Sequence, residues 1–429
     1  MREMANGARV AIIESHGLPI VVVSAMFDLP DAFDPPGKEG VGGITGAMLR
    51  EGTTSRRADQ ISDATAELGN DVSPNGFTTV TANVDSSLAL MADELLHPAW
   101  PDAALTRIKA GASAQVKAMH EHSGYFASRV LANVVNGSAH PYAQSGTEES
   151  IAAVTKADLV AYHDAYYRPR NVTFLIAGDI TPDVAVAKLE RAFAGWARGG
   201  VSGQHPVAAP QWNGPTRIYL YDRPGSVQST IIVGTLGPRR DAPDYYALEL
   251  MNAALGGAFN SRLNLDLREK HGWTYGVHSG FRFRSVPELG TFQAGADVAT
   301  PKTDSALVAM MADITGLTGA KPVTDSEVAF VRRKATMGLP LEFANLSEVA
   351  GAEAGLLGEH LPLDYYDHLV ARYDRVTVAD VERAAVQRLD PKKLAIVIVG
   401  DRKVIEAGLR AANVAPVVVV NERGEPIGS

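Results

Sequence analysis

Val154-Thr155-Lys156-Ala157-Asp158-Leu159 and Val376-Thr377-Val378-Ala379-Asp380-Val381 are two copies of one helix start, and reading them together decides the fold. The first leads through Tyr166 and Pro169 to an apolar strand at 171–177 and then Gly178-Asp179. The second leads through Pro391 to a strand at 394–399 and then Gly400-Asp401. Valine, threonine, alanine, aspartate, proline and glycine-aspartate all recur at an offset of 222 residues, which marks an internal duplication. In each copy the threonine is placed to cap the helix, and the aspartate lies in its first turn, where the helix dipole favours it.

Between the copies, Gly199-Gly200-Val201-Ser202-Gly203-Gln204-His205-Pro206, Pro210 and Gly214-Pro215 form a stretch of breakers without periodicity. It divides the chain into a first repeat at 1–198, a linker at 199–215 and a second repeat at 216–429. In the first repeat the patterns predict strands over 9–14 and 19–29 and helices over 41–49 and 58–68. Alternation at 77–84 predicts a further strand, and helices follow over 88–97, 103–119, 157–167 and 182–193. The second repeat offers strands at 217–222 and 229–234, a helix over 244–255, a break at Gly256-Gly257 and a helix over 259–270 that Gly272 can stop. A hairpin then places Tyr275, Val277, Phe281 and Phe283 on one face, turns at Pro287-Glu288-Leu289-Gly290 and returns through Phe292, Ala294, Ala296 and Val298. Strands joined by short turns, with helices bunched after them, predict an α+β protein of two homologous halves, each a mainly antiparallel sheet flanked by helices.

The chain has 429 residues, 46% of them hydrophobic, enough for two or three cored domains. A net charge of −9 without long runs of either sign gives no basis for nucleic-acid or anionic-membrane binding. The absence of cysteine removes disulfides, thiolate metal sites and cysteine nucleophiles. The longest apolar runs, at 19–26 and 415–420, are strand-sized, far short of the roughly 18 to 20 residues of a membrane-spanning helix, so no membrane insertion is expected. At the amino terminus Val10 to Ile13 is cut off by Glu14, Ser15 and His16, which gives no signal-peptide core in the sequence as it stands.

None of the eleven histidines falls in H-E-x-x-H or H-x-x-E-H spacing. His120-Glu121-His122 is the one close pair, and side chains two residues apart converge on a metal only in a loop. No phosphate-binding loop, dinucleotide fingerprint or G-x-S-x-G elbow is present. Gly40-Val41-Gly42-Gly43 before a helix is a weak anion-site hint.

His140-Pro141-Tyr142, Gly146-Thr147-Glu148-Glu149-Ser150-Ile151, Val154-Thr155, Asp158-Leu159, Tyr166-Tyr167-Arg168-Pro169-Arg170-Asn171 and Gly178-Asp179 together resemble the pitrilysin or insulinase-like zinc peptidases, the inverzincins. The resemblance spans nearly the whole chain and is greatest to the mitochondrial-processing-peptidase-like branch. It implies two α+β halves per chain, with two chains closing as a clamshell around a peptide chamber. The family's zinc helix has the form G-x-x-H-x-x-E-H-M-L-x-x-G-T. The matching segment here runs from Gly40 to Thr53, with Gly43 and Ala47 at the histidines and Gly46 at the glutamate. No acid lies between Asp102 and Glu121, where the third ligand is expected. The resemblance therefore implies no metal and no cofactor in this chain, with zinc on a partner.

Family members that complete such a site carry an Arg and a Tyr seven residues apart in the second half. Arg268 and Tyr275 keep that spacing. By resemblance they are the catalytic and substrate-binding residues, fixed donors that hold a peptide carbonyl and stabilise the oxyanion formed on attack. A plainer reading stands beside this one: the helix dipole favours an Arg in a last turn, and Tyr275 on a face with Val277 and Phe281 could simply be core. The glycines are equally open, since Gly42, Gly43 and Gly46 either weaken the helix by about 1 kcal/mol each or leave space in the chamber.

The implied function is the non-zinc subunit of a heteromeric zinc endopeptidase, inactive alone, paired with a zinc-binding homologous subunit and acting on extended peptides. The alternative is a catalytically inactive structural or peptide-binding family member. Exported relatives, and a start resembling a mature sequence with its leader removed, make the periplasm the expected location and the cytoplasm the alternative.

Overall fold

The computed structural model describes every residue except 30–33, 204–206, 208, 211, 285–287 and 428–429. Parts of the expected linker, with Gln204, His205 and Pro206, and the turn residue Pro287 thus lie outside the described residues. The chain forms two units, one of Met1–Lys117, Ser145–His205 and Pro340–Leu363, the other of Ala118–Gln144, Pro206–Leu339 and Asp364–Ser429.

The first unit holds β1 (Arg2–Glu3), β2 (Arg9–Glu14), β3 (Ile20–Phe27), β4 (Gly76–Val80) and β5 (Val172–Gly178), in the order β1-β2-β5-β3-β4. The second holds β6 (Arg217–Asp222), β7 (Gln228–Gly237), β8 (Thr274–Arg282), β9 (Gly290–Ala299), β10 (Ala395–Gly400) and β11 (Val417–Val420), in the order β11-β6-β10-β7-β9-β8. The run β2-β5-β3-β4 matches β6-β10-β7-β9 strand for strand, each with a parallel pair followed by two antiparallel ones. The α+β duplication is therefore real at the level of topology. β8 has no counterpart among the described residues of the first sheet and forms an edge of the second.

The duplicated helix starts cap as their sequences predict. Asp158 accepts from the Thr155 N–H at 2.7 Å and the Asp158 N–H donates back to the Thr155 hydroxyl; Thr377 and Asp380 repeat the arrangement at 2.9 Å. Hydrogen bonds from Lys38 and from Thr155 hold the Asp158 carboxyl down at about 2.

The units depart from a contiguous split of the chain in one respect. Helix Ser123–Asn136, which lies in the first repeat and which periodicity did not single out, packs Phe126, Val130, Leu131 and Val135 against Ile232, Ala395, Val397 and Val399 of the second sheet. Helix Leu346–Gly358, from the second repeat, packs Leu346, Ala350, Ala354 and Leu357 against Ala11, Val22, Leu175 and Ala177 of the first. The 222-residue offset carries one helix onto the other, so the two repeats exchange equivalent helices. Close approach is built into the sheet: a Cβ on Gly234 would come within 2.7 Å of Leu131.

Two expected elements shift. The strand expected over 77–84 ends at Val80, and after one turn at Thr81–Asn83 the chain enters helix Val84–Leu96. From Val84 the buried residues fall at Val84, Leu88, Met91 and Leu95, a helical spacing that overrides the preceding alternation. The helix expected from 259 begins later, because Ala258 after the glycine pair is extended, and its end widens into π-helical turns at Asn264–Lys270.

Glu94 is an unexpected member of the first core. It is 0% exposed and neither carboxyl oxygen has a hydrogen-bond partner among the described residues. Burial pushes its carboxyl up to about 8 from 4.5, opposed by Arg50 and reinforced by Asp71 and Asp93. The folded state thus keeps a proton that the unfolded chain releases near 4.5, so stability falls as pH rises from there to about 8 and levels off above. Thermal midpoints measured across that range should decline for the native chain, and Glu94→Gln should flatten the decline.

Candidate functional site

Helix Val41–Met48 carries the positions that match the zinc motif. Val41, Ile44, Thr45 and Met48 point into the core, which leaves Gly43 and Ala47 exposed one turn apart and Gly46 half-buried between them. These side chains offer no nitrogen, sulfur or carboxylate oxygen, so the residues do not fit a zinc ion. Nor does His120-Glu121-His122 gather one: His120 ends helix Asp102–His120 with its ring against Tyr125 and Phe126, at 5.1 and 5.6 Å between centroids.

The residues that follow these positions are held for structural reasons. The Thr53 hydroxyl accepts from the Ser55 and Arg56 N–H groups and donates to Asp93 at 2.8 Å, which pins the loop after the helix. Gly52 sits at φ 121° with the Arg56 carbonyl 3.1 Å from where a Cβ would lie, so only glycine suits the position.

The helix glycines divide in the same physical way. A Cβ on Gly42 would lie 2.8 Å from the Tyr162 hydroxyl and 3.2 Å from Asp34, whereas one on Gly43 would meet nothing within 4 Å. Gly42→Ala should therefore destabilise the chain and lower its thermal midpoint, while Gly43→Ala should stabilise it by about 0.5 to 1 kcal/mol of helix propensity and raise the midpoint. Paired thermal melts of the two variants check this.

The other predicted residues lie in the second unit. Asn264–Lys270 ends on Gly272 at φ 62°, whose N–H bonds the Arg268 carbonyl at 2.9 Å, while the Trp273 N–H bonds that of Leu267 at 3.0 Å. This left-handed stop turns the chain directly into β8. Arg268, about one-third exposed, lays its guanidinium 4.5 Å from the centre of the Phe259 ring and 3.6 Å from Glu269.

Tyr275 is 92% exposed. The regular alternation that would have packed it beside Val277 and Phe281 is broken by a register shift between Thr274 and Val277, with the Thr274 hydroxyl bonded to both backbone groups of Gly276. Val277 consequently stays 0% exposed while the preceding tyrosine is swung out to solvent, as strand bulges do beside functional sites. The core reading of Tyr275 is thereby excluded.

Asn264 was missed by sequence reading. Buried to 4%, it donates to the Val277 carbonyl at 2.8 Å and accepts from the Val277 N–H at 3.0 Å, clamping the π-helical turns to the strand that follows the bulge. An asparagine three residues after Ser261 carries no local signal for such a contact.

The motif at 140–151 is likewise structural. His140 caps the turn Pro141–Ala143, Thr147 and Ser150 form a reciprocal cap on helix Glu148–Ala153, and the Tyr142 hydroxyl donates to Glu288 with Arg284 over its ring.

The fold is thus a duplicated α+β chain whose helix Val41–Met48 presents no metal-ligating side chain at the matched positions. Residues 153–335 match the family described as the Peptidase M16 inactive domain. An uncharacterized zinc protease of Mycobacterium tuberculosis is 26% identical over 277 residues, 62% of this chain and 60% of its own. The chain thus spans about 60% of the length of the mycobacterial relatives it matches. The crystal structure of a peptidase M16 inactive domain from Pseudomonas fluorescens superposes with a TM-score of 0.82 at 26% identity, covering 93% of this chain and 97% of that one. The periplasmic protease PqqL from Escherichia coli shares the fold, with a TM-score of 0.77 at 16% identity over 92% of this chain and 45% of that one. Residues 153–335, less than half of the chain, are thus similar to the M16 inactive domain, and the fold is similar to that of the Pseudomonas fluorescens structure.

Proposed function

We propose that this chain is the non-zinc subunit of a heteromeric zinc endopeptidase. A homologous partner supplies H-x-x-E-H and the metal, and this chain supplies Arg268 and Tyr275. The observation that carries the reading is the placement of Tyr275, a phenol almost wholly exposed on a bulge, seven residues after an arginine at a fixed helix end. A guanidinium and a phenol hold a peptide carbonyl through N–H and O–H donors, and the same donors bind more strongly the oxyanion that forms when the carbonyl is attacked. Extended peptide is held by backbone pairing to a sheet edge, which leaves side-chain selectivity loose. The periplasm is the proposed compartment.

The test is metal analysis and peptide hydrolysis by this chain, alone and mixed with its H-x-x-E-H homologue. Hydrolysis that rises only in the mixture, with zinc counted on the homologue, supports the shared site. Association without any gain over the homologue alone overturns it in favour of a scaffold.

A further inference from the structure

Helix Ser123–Asn136 covers β10 and β7 but leaves the outer part of its sheet face, on β9 and β8, open to solvent. There Ser128, His278, Gly280, Arg282, Gln293 and Gly295 line a groove of about 410 Å³. Gly280 keeps the floor low, since a Cβ on it would meet nothing within 4 Å. The side chains of His278 and Arg282 are exposed on this face and make no hydrogen bond or ion pair with a described residue. No acid lines the groove among the described residues. The acid further along the same face, Asp297 on β9, already accepts a hydrogen bond from Thr230. Beyond the groove, Arg284 is occupied by the Tyr142 ring and Glu288.

The edge of β8 is equally specific about what fits beside it. Asn264 takes both outward-pointing backbone groups of Val277, so by the alternation of an antiparallel ladder the N–H and C=O groups of Ser279 and Phe281 also point outward. They have no partner among the described residues. An added strand can therefore pair at Ser279 and Phe281 and is stopped at Val277. Residues four apart on a strand share a face about 13 Å apart, so His278 and Arg282 stand opposite positions of like spacing on that added strand.

We propose that this edge and groove bind an extended acidic peptide, with two carboxylates four residues apart facing His278 and Arg282. The proposal rests on the reading that this chain holds extended peptides, and gives that binding a charge preference.

Fluorescence anisotropy on the full chain tests it with three labelled peptides of one β-prone sequence, carrying Glu, Gln or Lys at the two positions. The glutamate peptide should bind about five- to tenfold more tightly than the glutamine one at low salt, with the lysine peptide weakest. That advantage should shrink at high salt. Arg282→Glu, an exposed change that leaves the core intact, should invert the order. Equal affinity for all three peptides overturns the acidic preference and leaves the peptide reading standing. No binding of any of them overturns both.

Discussion

Tyr275→Phe should lower kcat of the two-chain mixture by about 10² to 10³ while leaving the thermal midpoint of the chain unchanged. Both halves of that expectation follow from one geometry. The phenol is 92% exposed, and removing its hydroxyl leaves no buried group unsatisfied, so folding does not register the change. In the shared site proposed above, the same hydroxyl would serve as an oxyanion donor, and losing one such donor costs about two to three decades in kcat. Steady-state kinetics on wild-type and variant mixtures, with melting curves beside them, measure both. An unchanged kcat would leave the chain a scaffold whose partner works unaided. Loss of activity together with loss of stability would assign Tyr275 to packing, against its exposure.

Residues 216–429 expressed alone should fail to reach a native state, whereas 1–198 and 199–429 expressed together should assemble. The exposed β10 and β7 face would then lack Phe126, Val130, Leu131 and Val135. Each buried side chain of this kind contributes about 1.5 to 3 kcal/mol, so the loss is roughly 6 to 12 kcal/mol. That matches the whole stability of a typical domain, about 5 to 15 kcal/mol. Near-ultraviolet circular dichroism and dye binding should report a loose, sticky fragment, and co-expression should restore a sharp melting transition. A cooperative transition from 216–429 by itself would show that the exchanged helix is dispensable.

What could be read from the sequence was local, and what could not was made by distant segments. Thr155 with Asp158, and Thr377 with Asp380, announce helix starts because the capping partners are three residues apart. The β8–β9 hairpin was legible from alternation, with Phe281 opposite Phe292 as a strand pair requires. The exposure of Tyr275 is not legible, because one inserted residue is invisible in a pattern that still alternates on either side. Gly42, Gly43 and Gly46 look alike in sequence, and only the Tyr162 hydroxyl, 120 residues from Gly42, separates the glycine that is required from the one that is not. The carboxyl of Glu94 lies on an ordinary amphipathic helix and gives no sign that it is sealed in. Arg268 and Tyr275 are singled out by family resemblance alone, since their spacing is also that of a helix end and a strand.

The reciprocal placement of helices Ser123–Asn136 and Leu346–Gly358 bears on how such a chain could have arisen. A single ancestral repeat with this disposition could not have closed its own sheet, because its covering helix reached a different one. Two copies of a half-length polypeptide would have closed both by trading helices, and the breaker-rich connection at 199–215 would have joined what was already an obligate pair. Gene fusion in that setting removes the dependence of folding on concentration and leaves each copy free to diverge.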